Sequence, residues 1–143
     1  MDYLKVLVEE IHSVVVATVD ETGHPHTAVM DMMWEDGKTV YFLTADFKPL
    51  YKRLKEDGRV ALTGMTQGAG TMDRKSISLT GQVEWIGKEH LEELLKANPY
   101  MYEIYPTEEG RSHLQVFRFK KALGDFYDLT QLSPYQARFE IEG

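Results

Sequence analysis

The chain predicts a mainly β fold, an antiparallel β-barrel of about six strands with flanking helices. Three observations carry this. Short runs dense in β-branched and aromatic residues, such as Ser13 to Val19 and Val40-Tyr-Phe-Leu43, are bounded by turn residues. The first three runs are joined by turns alone, too short for the crossovers a parallel sheet needs. Helical periodicity is confined to a few segments, chiefly one at the start and one after each of the third and fifth strands.

Taken in order, Leu4, Leu7, Val8 and Ile11 recur at helical spacing, so Tyr3 to Ile11 is expected as a short amphipathic helix capped by Asp2. Ser13 to Val19 follows as a strand buried on both faces. Asp20 to Pro25 is a turn around Gly23. His26 to Trp34 resumes as a strand, with Thr27, Val29, Asp31 and Met33 on one face and Ala28, Met30, Met32 and Trp34 on the other. Glu35-Asp-Gly-Lys38 is a hairpin turn leading into Thr39 to Leu43, and the three strands read as a meander. A helix opening at Pro49 stops near Asp57-Gly58, and Arg59 to Thr63 is the fourth strand.

Thr66 to Arg74, rich in Gly, Thr and Met, is a loop. Ser76 to Ile86 is a long fifth strand with a bend or bulge at Gly81. Lys88 to Ala97 is a helix interrupted by Asn98-Pro99, and Tyr100 to Tyr105 is an aromatic turn or short helix. His113 to Phe119 and Gly124 to Leu129 are two closing strands, or one long strand bent at Ala122-Leu-Gly124. The tail, 130–143, carries Arg138-Phe-Glu-Ile141, suited to an edge strand or a dimer contact. The 143 residues fit one domain with a core large enough to need no staples.

Composition narrows the function. A net charge of −7 disfavours nucleic acid and anionic membranes as partners, while leaving room for a local cationic pocket. The absence of cysteine removes disulfides, thiolate metal sites and cysteine nucleophiles. The first residues lack the pattern of a secretion signal and no apolar run is long enough to span a bilayer, so a cytoplasmic location is expected.

The chemistry-bearing stretch is Thr44-Ala-Asp-Phe-Lys-Pro-Leu-Tyr-Lys-Arg-Leu54. A strand hands over to a helix here, with a hydroxyl (Thr44), a candidate cap (Asp46) and an ammonium (Lys48) at the junction. Free N–H groups at a helix start, together with a hydroxyl and a lysine, suit a phosphate. An ordinary N-cap beside a solvated lysine is the plainer reading.

The run Val16 to Pro25, then Val40-Tyr-Phe-Leu-Thr44, Lys48, Leu54, Arg59-Val-Ala-Leu62 and Ser76-Ile-Ser-Leu-Thr-Gly-Gln-Val83 resembles the pyridoxamine 5′-phosphate oxidase-like, FMN-binding split-barrel family, and in particular its short bacterial flavin-binding members. That resemblance implies a six-stranded split barrel and a homodimer with FMN in clefts between subunits. It places Val29, Met30 and Asp31 beside the isoalloxazine, Thr44 and Lys48 at the phosphate, and Lys75 and Ser76 opposite the flavin across the dimer interface. Ala28 stands where the oxidase has a phosphate-gripping arginine, which Arg53 or Arg74 would replace, and Ser76 stands where it has a glutamine. The substrate-gripping basic residues near the oxidase's C-terminus have no counterpart, which argues against pyridoxamine phosphate as substrate. The implied function is a flavin-dependent oxidoreductase acting on an unidentified small molecule; the alternative is a flavin carrier or redox sensor without turnover. A haem-binding variant of the barrel remains a further reading.

Other residues carry weaker signals. His24 and His26 share a strand spacing but lack a third metal ligand nearby in sequence, so no metal site is expected. Gly64, Gly68 and Gly70 fail the dinucleotide spacing. His90 and His113 read as solvated. Tyr100, Tyr102 and Tyr105 are candidates to line a pocket, and Phe126 and Tyr127 to abut a cofactor. Asp31 is the candidate to exchange a proton with a substrate, although no residue is required to act as acid or base, because the flavin itself carries the chemistry.

Overall fold

The computed structural model describes residues 1–131 and 133–143; Leu132, in the tail considered above, lies outside the described residues. Among the described residues, eight strands form one curled antiparallel sheet: β1 (Ser13–Val19), β2 (Pro25–Asp31), β3 (Trp34–Glu35), β4 (Val40–Ala45), β5 (Arg59–Met65), β6 (Lys75–Gly87), β7 (Leu114–Asp128) and β8 (Tyr135–Glu142). The helices are α1 (Tyr3–Lys5), α2 (Pro49–Glu56), α3 (Leu91–Ala97), α4 (Met101–Ile104) and α5 (Glu108–Arg111). α1 runs on into a π-helical turn, Val6–Ile11, closed by His12 N–H donating to Leu7 O at 2.7 Å. Asp2 caps it, its carboxylate accepting from Lys5 N–H at 3.2 Å. No described helix is long and apolar enough to cross a membrane.

The strand order is β2-β1-β5-β6-β7-β4-β3, with β8 added to β7. This is the split-barrel architecture the sequence implies, with eight strands in place of six. The extra ones are the two-residue β3 and the tail strand β8. The long β7 is continuous and makes the curl possible. Its first half, Leu114 to Arg118, pairs with β4, and its second half, Lys121 to Asp128, pairs with β8, while β6 runs along the other edge. Two register shifts bend the β6–β7 ladder, between Gln82 and Val83 and between Trp85 and Gly87. Gly81 is therefore not the bulge. It lies in register opposite Ala122, where an added Cβ would collide with the Lys121 carbonyl and sit 2.6 Å from Ala122 Cα.

Two expectations fail for physical reasons. The first three runs are not a meander: β4 pairs with β3 and β7, not with β2. The long run His26 to Trp34 breaks after Asp31, where Met32 N–H turns to His12 O and Met33 N–H to Tyr41 O, with Met32 buried in one core and Met33 in another. β1 is not buried on both faces either; Val14, Val16 and Thr18 point inward, while Ser13 and Val15 are exposed. Its β-branched density reports strand propensity, not burial.

The main core fills the curl, where Phe42, Phe117, Phe119 and Phe126 are fully buried, each side chain stabilising by about 1.5–3 kcal/mol. A second core packs the outer face of β4 against α3 and α4 through Tyr41, Leu43, Leu94 and Met101. β4 thus faces apolar neighbours on both sides, as its unbroken apolar run requires.

Candidate functional site: a cleft at the barrel seam

β2 and β4 lie far apart in the strand order yet are close in sequence. The link Met32-Met33 spans the seam between them. Met32 N–H donates to His12 O at 2.7 Å, Met33 N–H to Tyr41 O at 2.9 Å, and the buried Asn98 Nδ2 to Met33 O at 2.9 Å. Beside this link opens a cleft of about 580 Å3. Its walls are Ala28 to Asp31 of β2, Leu43 to Ala45 of β4, the start of α2, and Met101, Ile104 and Tyr105 around α4.

The cleft has a cationic end and an apolar body. Lys48 is the N-cap of α2, its backbone extended, with Pro49 in the first helical position. One turn on, Arg53 lines the same cleft; its Nε donates to Thr18 Oγ1 at 2.8 Å, which ties down the guanidinium. Among the described residues, no carboxylate forms an ion pair with Lys48 or Arg53. Arg53 thus lines the same cleft as Ala28. Arg74 does not line this cleft; its guanidinium donates to Gly68 O at 3.2 Å. Asp46 is not the cap of α2 either; its carboxylate meets His113 Nδ1 at 2.8 Å, so His113 is paired, not merely solvated.

The structure therefore brings Val29, Met30, Asp31, Thr44 and Lys48 together in one cleft. It places Ser76 in a second cleft of about 450 Å3 on the outer face of β1, β5 and β6, with Val29 on the ridge between the two. Lys75 lines neither cleft; its Nζ pairs with Glu10 at 3.2 Å. Of the three tyrosines, Tyr105 lines the seam cleft, while Tyr102 lies under Arg111 at 4.9 Å. Phe126 is in the core against Tyr3 and Tyr127 is exposed, so neither reaches the cleft. His90 is part-buried, 5.1 Å from the Trp34 ring and 5.2 Å from that of Tyr41, and starts α3 with a positive φ. His24 and His26 are engaged by Thr22 and Asp20.

Behind Asp31 lies a cluster whose assembly the sequence does not signal, although Asp31 and Tyr100 are each candidates there. Asp31 accepts from Ser13 Oγ at 2.7 Å and from the Tyr100 hydroxyl at 2.7 Å, and His12 Nε2 lies 2.7 Å from that hydroxyl. Burial, reinforced by the bond to Asp31, holds the Tyr100 hydroxyl well above the usual tyrosine range. His12 has φ 64° and ψ −67°, a conformation costing about 1–3 kcal/mol for a residue with a side chain. Tyr100 is 88 positions from His12 in sequence, and no local motif joins them.

A curled split sheet with a ligand-sized cleft at its seam defines a split-barrel protein. The chain belongs to the pyridoxamine 5′-phosphate oxidase family, whose sequence profile matches residues 2–126. It is also similar to solved structures at identities that speak for the fold alone. A NimC/NimA family protein from Clostridium acetobutylicum is 22% identical, with 96% of this chain and 87% of that one covered and a TM-score of 0.71. An FAD-binding protein from Mesorhizobium loti is 16% identical, with 84% and 88% covered and a TM-score of 0.65. A heme binding protein from Mycobacterium smegmatis is 13% identical, with 95% of this chain but 56% of that one covered and a TM-score of 0.71. Comparison with curated proteins finds no match.

Proposed function

We propose that the protein binds FMN in the seam cleft and works as a flavin-dependent oxidoreductase on a small molecule. The observation that carries this reading is the gathering of Lys48, Arg53 and Thr44 in a cleft whose other lining is apolar apart from Asp31 and Tyr105. The residues present suit that group. The volume lies in the range of small-ligand sites, about 300–1,000 Å3. Met30, Leu43 and Met101 offer apolar surface to a fused ring, and two cations without ion-pair partners suit a phosphate. Lys48 and Arg53 would hold the phosphate and the β2 backbone at Val29 to Asp31 would run beside the ring. When bound, FMN supplies hydride transfer; this chain's residues orient it, exclude water and set the charge around it.

The same reading makes the protein a homodimer. Val29 (74% exposed), Leu123 (65%), Met65 (52%) and Val15 (45%) leave apolar surface on the sheet's outer side, more than a solitary barrel needs to show. Covering that face would bring the second cleft, with Ser76, toward a partner's seam. The alternative, a flavin carrier without turnover, draws support from the cleft lining: apart from its two cations and Tyr105, Asp31 is the lone ionisable side chain there.

An absorption and fluorescence titration of the purified protein with FMN tests the binding, with Lys48→Ala beside it. Saturable quenching that weakens in the variant is expected; no binding at micromolar FMN refutes the proposal. Turnover of reduced FMN with added acceptors then separates oxidoreductase from carrier.

A further inference from the structure

The contacts around Tyr100 impose a count of protons. Val8 O can only accept, so the His12 Nδ1 that faces it at 3.1 Å carries a hydrogen. Ser13 Oγ donates its own hydrogen to Asp31 Oδ1. Two short contacts remain, His12 Nε2 to the Tyr100 oxygen and the Tyr100 oxygen to Asp31 Oδ2, both at 2.7 Å. Each needs a hydrogen between its heavy atoms, and the phenol has one. A neutral His12 beside an ionised Asp31 leaves one contact as two lone pairs facing each other. One further proton completes the chain. It sits on His12 Nε2 or, with the two bonds at the Tyr100 oxygen reversed, on Asp31.

We propose that His12, Tyr100 and Asp31 form a proton relay that stores one transferable proton and delivers it to the molecule in the seam cleft. In the resting arrangement His12 carries hydrogens on both nitrogens, Tyr100 donates to Asp31, and Asp31 is a carboxylate. On delivery the Nε2 hydrogen passes to the tyrosine oxygen as the phenol hydrogen passes to Asp31 Oδ2. The new carboxyl O–H turns about its C–O bond and gives its hydrogen to a basic atom of the bound molecule. The balance closes: the bound molecule gains one proton, His12 ends neutral, Tyr100 ends a neutral phenol that now donates to His12 Nε2, and Asp31 is again a carboxylate. Asp31 is the member of the three that lines the cleft, so it is the exit; Tyr100 and His12 act through it as positioning and storage groups. The strained backbone of His12 fits this role, because the π-helical turn and the bond from Met32 N–H to His12 O hold its ring on Tyr100. The other nearby pair, Glu10 with Lys75, is self-neutralising.

Delivery rests on the proposed occupancy of the cleft; the stored proton does not. Long-range 1H–15N correlation spectra of the flavin-free protein at neutral pH read the His12 ring directly. Both ring nitrogens protonated in the wild type, and one in a folded Asp31→Asn, is the expected result; a singly protonated wild-type ring beside an ionised Asp31 overturns the relay. The second arm uses FMN photoreduced on the protein and reoxidised by menadione, which gains a hydride from the flavin and one proton to become the hydroquinone. Tyr100→Phe should slow that step about 100-fold, with FMN affinity changed less than about twofold and the wild-type solvent isotope effect altered. An unchanged rate in Tyr100→Phe overturns delivery. Failure of the wild type to bind FMN removes the cleft reading and delivery with it, while the ring spectra still decide the stored proton.

Discussion

Arg53→Ala separates phosphate recognition from ring binding. In the folded protein Arg53 spends Nε on Thr18 and lines the cleft, and among the described residues no carboxylate forms an ion pair with it. Losing one charge-assisted hydrogen bond is worth about 1.5–3 kcal/mol. The dissociation constant for FMN should therefore rise about 10- to 150-fold. Riboflavin, which lacks the phosphate, should bind both proteins alike. The substitution also strands the buried Thr18 hydroxyl, at a cost of about 1–3 kcal/mol, so thermal stability should fall by several degrees. Flavin fluorescence titrations well below the melting transition keep the two effects apart. Arg53→Lys, which keeps the charge but not the fork, should fall between wild type and alanine. Equal weakening of FMN and riboflavin, or no weakening of FMN, refutes the assignment of Arg53 to the phosphate.

Three further outcomes are expected. Gly81→Ala forces a Cβ onto the backbone of Lys121 and Ala122 in the β6–β7 ladder, and should lower unfolding stability by about 1–3 kcal/mol; an unchanged urea midpoint contradicts the close approach. Asp20 is held well below the ordinary carboxylate range by His26, then by the Thr22 hydroxyl and the Thr22 and His24 amides. Its folded-state value is depressed, so its contribution to the β1–β2 turn is complete above the unfolded value of about 3.9 and is lost as pH falls toward the folded value; amide shifts of Thr22 and His24 should hold steady to that point, and in Asp20→Asn the turn should be loosened at every pH. Val29→Asp places a charge on the proposed dimer face and should shift the protein toward monomer in sedimentation, whereas no change in mass clears that face of the contact.

Much of the fold was legible because strand-forming runs and turn residues agree along the chain. Val40 to Leu43, apolar at every position, reads as a buried strand and is one. The sheet order was not legible, since adjacency in sequence suggests a hairpin between neighbouring runs. The sign against it was present: Met32, Met33 and Trp34 break the alternation that Thr27 to Asp31 keeps, and the chain leaves the strand there. At the cleft, Thr44 and Lys48 follow from local chemistry at a strand-to-helix junction. That Arg53 and not Arg74 lines this cleft needed the packed structure. Tyr100 was legible as a candidate pocket residue, but its meeting with His12 was not, because the two lie 88 positions apart and come together only in the fold. Asp46 looked like a cap by position, yet the partner that claims it, His113, arrives from the far side of the sequence.

The seam has a mechanical consequence. Two strand edges face each other there without the ladder of backbone bonds that would lock a closed barrel, and two methionines are their covalent tether. A molecule lodged between β2 and β4 acts as a brace, and part of its binding energy goes into fixing the curvature of the whole sheet. Amide exchange should therefore slow on both edges together when the cleft fills, including at Leu43 to Ala45, where the brace would press on β4.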